Sequence, residues 1–190
     1  MKNETRYQIV ISGVGGQGIL FITRLLAEAA IEKGLPVFTS ETHGMAQRGG
    51  TVISHLKVGE FASPLINPGQ ADGLIALKAE SLTQHGGYLK PGGWAAVNSS
   101  APLEMQAPSR PFYLDADRLT REMDDPRSLN LIMLGFTLSS VQRGDFDHGV
   151  LHCSLGDVET VLENRLKGKG HLLQSSLRAL KAGADSAAAA

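Results

Sequence analysis

Between Ser40 and His55 the chain reads S-E-T-H-G-M-A-Q-R-G-G-T-V-I-S-H, which crowds a carboxylate, an imidazole, a carboxamide and a guanidinium into Glu41, His43, Gln47 and Arg48. So polar a stretch buries little apolar surface, and packing alone gives no reason to group these residues. Polar side chains gathered in a loop at the mouth of an α/β unit are where binding chemistry concentrates. Arg48 has the planar fork that grips a carboxylate or phosphate bidentately, and Gln47 and His43 add hydrogen-bonding groups. Gly44, Gly49 and Gly50 would let the backbone bend close to a bound molecule. The plainer alternative is an ordered loop whose polar groups satisfy one another.

One helix earlier lies a second motif, Gly13-Val14-Gly15-Gly16-Gln17-Gly18. Its G-x-G-x-x-G spacing falls between an expected strand and an expected helix, the setting a dinucleotide fingerprint requires. Glycines there permit positive φ and close backbone approach, and the amides of a helix N-terminus favour an anion. Glu41, 23 residues past Gly18, stands near the distance of about 20 expected of a ribose partner. The competing reading is a tight strand–helix turn that binds nothing.

Other chemistries fare worse. His43 and His55 match no metal-ligand spacing, so a metal site would need further ligands. Ser40, Ser54 and His43 invite a triad, but no G-x-S-x-G elbow exists in the chain. Asn98, directly after an expected strand, could face a ligand at the carboxyl edge of the sheet, and helix or turn capping is the competing role. Asn130 reads as a helix cap, Trp94 and Met133 as core, Cys153 as an inert thiol, and His148, His152 and His171 as surface residues.

The elements that must position these residues follow from periodicity. Tyr7–Ser12 reads as a buried strand, residues 17–33 as an amphipathic helix stopped by Gly34, and Val37–Ser40 as a second strand, together the opening of a parallel sheet. Thr51–Val58, Gly73–Leu77, Trp94–Val97 and Phe112–Leu114 read as further strands, with a helix over about 79–89 and a turn at Pro91-Gly92-Gly93. Helices are expected at Ala116–Met123, Leu129–Gln142, Leu155–Leu166 and His171–Lys181. The fold class expected is three-layer α/β/α with a mostly parallel sheet, a Rossmann-like opening and a helical C-terminal part. One domain over residues 1–182 and a disordered, alanine-rich tail over 183–190 are expected.

Composition narrows the function. Lys and Arg number 18 against 19 Asp and Glu, dispersed along the chain, which argues against a nucleic-acid surface. Aromatic residues at 5% leave few platforms for bases to stack on. The single Cys153 excludes an internal disulfide and any cysteine-ligated cluster held by this chain alone. Mean hydropathy of -0.05, no apolar run of membrane length and a polar Met1–Tyr7 lead to the expectation of a cytoplasmic protein without a signal peptide.

Together, G-V-G-G-Q-G-I-L at 13–20 and S-E-T-H-G-M-A-Q-R-G-G-T-V at 40–52 resemble the gamma-type subunit of 2-oxoacid:ferredoxin oxidoreductases. The H-G-M-A-Q-R-G-G wording is most similar to the small (beta) subunit of indolepyruvate ferredoxin oxidoreductase. S-P-L-I at 63–66, A-D-G-L-I-A-L at 71–77, Y-L-K-P-G-G at 88–93 and N-L-I-M-L-G at 130–135 agree with it. The resemblance implies a complex that decarboxylates a 2-oxoacid on thiamine diphosphate with Mg, passes two electrons through iron–sulfur clusters to ferredoxin, and transfers the acyl group to coenzyme A. It implies that these cofactors sit on a large partner subunit and that the isolated chain is inactive; without its partner the chain could expose an apolar patch and self-associate as a homodimer. Gly13, Gly15, Gly16, Gln17 and Gly18 match the family's glycine turn, and Glu41, His43, Gly44, Gln47, Arg48 and Gly49 its polar loop; Arg48 and the turn amides are expected to meet negative charge. The alternatives are a stand-alone dinucleotide-binding oxidoreductase and a nucleotide-sensing module.

Overall fold

The computed structural model describes residues 6–43, 50–103, 110–144 and 151–189. Six strands, β1 (Tyr7–Val14), β2 (Val37–His43), β3 (Thr51–Val58), β4 (Ala71–Ala76), β5 (Leu89–Asn98) and β6 (Arg110–Leu114), form one sheet in the order β2-β3-β1-β4-β5-β6. β1, β4, β5 and β6 pair in parallel, whereas β3 runs antiparallel to both β1 and β2. The sheet is therefore mostly parallel, with β3 alone reversed. The helices are α1 (Ile19–Glu32), α2 (Ala79–His85), α3 (Ala116–Glu122), α4 (Leu129–Arg143), α5 (Leu155–Arg165) and α6 (Gly170–Ala189).

Period-two alternation divides β1 between two cores. Ile9 and Ile11 face Ile22, Leu25 and Leu26 of α1, and α4, α5 and α6 add Ile132, Phe136, Val158, Leu162 and Leu180 to that side. Val10 faces the other side with Leu74, Ala95 and Val97, covered by Leu82 of α2 and by Tyr88. Three layers result, of unequal thickness. Each large side chain fully removed from water contributes about 1.5–3 kcal/mol, so most of the driving force lies on the α1 side.

The structure departs from the sequence reading in four places. The β1–α1–β2 unit does not place β2 beside β1, because β3 inserts between them and takes the antiparallel register Ile9↔Leu56 and Ser12↔Ile53. The helix expected over 79–89 ends at His85, followed by a 3₁₀ turn, Gly86–Tyr88. Pro91-Gly92-Gly93 lies inside β5, where the β4–β5 register shifts between Ala71 and Gly73, and not in a turn between elements. The tail expected to be disordered from Gly183 is helical to Ala189, with Ala184 buried.

Candidate functional site

β1 hands the chain to α1 on the thick side of the sheet, and β4 hands it to α2 on the thin side. The carboxyl ends of neighbouring β1 and β4 thus form a topological switch point, the crevice where ligands bind in open α/β sheets. The glycine turn lies in that crevice.

Its five candidate residues divide by role. Gln17 folds under the turn: its Oε1 accepts from the Val14 N–H at 2.8 Å and its Nε2 donates to the Leu77 carbonyl at 3.1 Å. Both ends of the carboxamide are therefore engaged inside the fold, each through one hydrogen bond. Gly13 must be glycine because a Cβ there would lie 2.5 Å from that same Oε1. Gly18 caps α1 at φ +79, and a Cβ on it would meet Asn130 Nδ2 at 1.9 Å. Gly15 and Gly16 are both exposed; the Gly15 N–H is taken by the Gly50 carbonyl at 3.1 Å, and among the described residues no atom lies within 4 Å of a Cβ placed on Gly16, at φ +97.

Asn98 is also spent. Its Nδ2 donates to the Leu77 carbonyl at 3.1 Å and to Asp117 Oδ2 at 2.9 Å, and its Oδ1 accepts from the Ala116 N–H at 3.0 Å. Its place at the edge of the sheet is as expected, but its polar atoms fasten β5 to the start of α3, the capping role weighed against ligand contact.

Of the polar loop, Gly44, Gln47, Arg48 and Gly49 lie outside the described residues, as does the His43 side chain. The loop's two flanks arrive at the same edge as the glycine turn: β2 ends at His43, β3 starts at Thr51, and the Gly15 N–H donates to the Gly50 carbonyl at 3.1 Å. Glu41 is exposed on β2 opposite Ser54 of β3. A ribose partner in a dinucleotide fold stands on the strand beside β1. Here β3 intervenes, leaving Glu41 two strand spacings, roughly 10 Å, from β1. The fingerprint spacing was present in the sequence; the strand order that gives it meaning is not.

Lys78 escaped the sequence reading. It follows Leu77 at the carboxyl end of β4, in extended conformation, with its ammonium 3.5 Å from Glu80 Oε1 and half exposed. Its A-L-K-A-E context reads as a helix start; the available signal was a cation placed immediately after a buried strand. Elsewhere, the amino-terminal halves of α4 and α6 leave a cavity of about 660 Å3 floored by Phe21, Leu131 and Ala179. Arg127 and Arg178 stand there against Asp124 and Asp125, so the formal charges cancel and no anion is favoured.

His152 corrects another expectation. It is buried and donates its Nε2–H to the Leu26 carbonyl at 2.9 Å. Neighbouring Cys153 is buried too, and burial raises its thiol pKa to about 12, which leaves it protonated and inert.

A mostly parallel sheet with its switch point at a glycine turn defines an α/β fold of the kind that binds ligands at the carboxyl ends of its strands. The chain belongs to the pyruvate ferredoxin/flavodoxin oxidoreductase family, whose model matches residues 8–186. It is 44% identical over 94 residues to the indolepyruvate oxidoreductase subunit IorB of Archaeoglobus fulgidus, a match covering 50% of this chain and 47% of that protein. The matched stretch thus spans about half the length of this curated relative. A 2-oxoglutarate:ferredoxin oxidoreductase from Magnetococcus marinus, solved with 2-oxoglutarate, coenzyme A and succinyl-CoA, superposes with a TM-score of 0.78 at 22% identity, over 99% of this chain and 32% of that one. The pyruvate oxidoreductase subunit PORC of Thermotoga maritima gives 0.72 at 21% identity, over 96% and 97%. These two likenesses show a shared fold.

Proposed function

We propose that this chain is the small subunit of a thiamine diphosphate-dependent 2-oxoacid:ferredoxin oxidoreductase, completing the cleft at which coenzyme A is admitted. The observation that carries this reading is the exposed Gly15–Gly16 turn at the β1/β4 switch point, beside the flanks of the polar loop. The glycine turn just ahead of the α1 N-terminus suits a phosphate, and Lys78 brings a positive charge to the same edge. Arg48 is assigned to a coenzyme A phosphate or the substrate carboxylate. Removing such a charge-assisted contact costs about 1.5–3 kcal/mol, so Arg48→Ala should raise the corresponding Michaelis constant by tenfold or more. The loop wording and the 44% identical relative favour an arylpyruvate of the indolepyruvate type as substrate.

The division of labour follows from one cysteine. Iron–sulfur clusters need several thiolates, and this sequence contains only Cys153. The clusters therefore belong on a large partner subunit, together with thiamine diphosphate and its Mg, in a cytoplasmic complex that reduces ferredoxin. Thiamine diphosphate supplies the stabilised carbanion that makes decarboxylation feasible. This chain's part is narrower: it orients the acyl acceptor and helps close the cleft against water.

Affinity purification of the tagged full-length chain from its native cells tests the reading. A stoichiometric large subunit should co-purify, and the pair should oxidise indolepyruvate with coenzyme A and ferredoxin where the isolated chain does not. A chain that emerges alone carrying a dinucleotide, or that oxidises 2-oxoacids unaided, overturns it.

A further inference from the structure

Two carboxamides from distant parts of the chain meet on one carbonyl. Leu77 O, at the end of β4, accepts from Gln17 Nε2 and from Asn98 Nδ2, each at 3.1 Å. The Leu77 N–H in turn donates to the Ser12 carbonyl at 2.7 Å. On one side Gln17 continues to the Val14 N–H within the glycine turn. On the other, Asn98 continues to the Ala116 N–H and to Asp117. Leu77 is fully buried and Asn98 nearly so.

We propose that Gln17 and Asn98 are positioning residues that act as one brace through Leu77 O, holding the exposed Gly15–Gly16 turn in register with the ends of β4 and β5. Neither touches the ligand. A buried carbonyl with both lone pairs filled resists movement, because breaking either bond leaves polar groups unsatisfied in low dielectric. Gly13 is matched to this device, since any side chain there would occupy the place of Gln17 Oε1. The brace explains why an amide follows the glycines: it needs an acceptor for one strand end and a donor for the next. Its consequence for ligand affinity rests on the function proposed above; the coupling does not.

Amide hydrogen exchange on the full-length chain tests the coupling, with global stability measured in the same samples. Asn98→Ala makes no contact with the turn, yet it should speed exchange at Val14 and Gly15 by tenfold or more beyond any global change. The Leu77 amide, bonded to Ser12, serves as the internal reference. Gln17→Glu keeps an acceptor for Val14 and loses the donor to Leu77, so in that background Asn98→Ala should no longer reach the turn. If Asn98→Ala fails to fold, Asn98→Asp retains the acceptor for Ala116 and removes the donor to Leu77. Turn amides within threefold of wild type, or effects of the two substitutions that simply multiply, overturn the brace. In the assembled enzyme, Gln17→Ala should raise the Michaelis constant for coenzyme A at least tenfold with kcat within threefold. An unchanged constant alongside altered exchange would refute positioning. Failure to assemble or to use coenzyme A would instead refute the function and leave the exchange result standing.

Discussion

Gly16 and Gly18 stand two positions apart, both in the left-handed region, yet they do different work. A side chain on either meets backbone strain of about 1–2 kcal/mol. On Gly18 it also meets Asn130, whose Nδ2 would lie 1.9 Å from the new Cβ, whereas on Gly16 it meets nothing within 4 Å among the described residues. Gly18→Ala should therefore lower unfolding stability clearly more than Gly16→Ala in urea denaturation. Gly16→Ala should spare the fold and weaken coenzyme A binding in the complex. Equal losses of stability would show that Asn130 does not form the wall assigned to it. The sequence separated these glycines only by count. Their roles depend on Asn130, more than a hundred residues away, and on a side-chain amide folded beneath the turn, neither of which a local motif encodes.

Among elements, the α4–α6 contact is the most demanding. A Cβ on Gly135 would lie 1.9 Å from the Leu180 carbonyl oxygen, and one on Gly183 would lie 1.8 Å from that of Ile132. Both obstacles are backbone, so no rotamer change relieves them. Gly135→Ala or Gly183→Ala should cost about 3 kcal/mol, the upper end of ordinary overpacking, read as a shift in denaturation midpoint. A loss below about 1 kcal/mol in either would mean that the two helices are free to part. This contact also explains why the last helix was misread. G-A-D-S-A-A-A-A is equally consistent with a loose tail and with a helix of small residues, and only α4 lying against Gly183 and Ala184 selects the helix. By contrast, α1, β1 and β4 were legible to within a few residues, because apolar periodicity and the bracketing glycines report local structure directly. The place of β3 was not legible, since its own alternation is the same whichever neighbours it has. That insertion is what sets Glu41 two strands from β1, away from the place of a ribose partner in a dinucleotide fold.

At the scale of the whole molecule, the fold buries His55 and His152 and half-buries His85, in three separate places along the chain, and all answer to acid in the same direction. Burial lowers the pKa of His152, with the hydrogen bond to Leu26 opposing it. Burial also lowers His55, helped by His85 and Lys57, and lowers His85 itself. Each is neutral in the fold and takes up its proton more readily when unfolded, so the unfolded chain binds more protons below the ordinary value of 6.5. Stability should be complete above that value and fall steadily as pH drops through it toward the lowered folded values. Asp157 acts in a separate, lower window. Burial works against its charge, but hydrogen bonds from Lys33 and Ser154 outweigh that and hold it below 3.8. Its contribution is kept above 3.8 and lost as pH falls through its folded value. Denaturation midpoints followed from pH 8 to pH 3 should thus decline in two stages. His152 bears most directly on the first, because its Nδ1 is buried with no partner among the described residues, and protonation would add a donor there that none of them accepts. His152→Gln, which can still donate to Leu26, should flatten the slope between pH 6.5 and pH 5, and Asp157→Asn should flatten only the part below about pH 4. A first-stage slope unchanged in His152→Gln would shift that stage to His55 and His85, beneath the thin layer of the sheet.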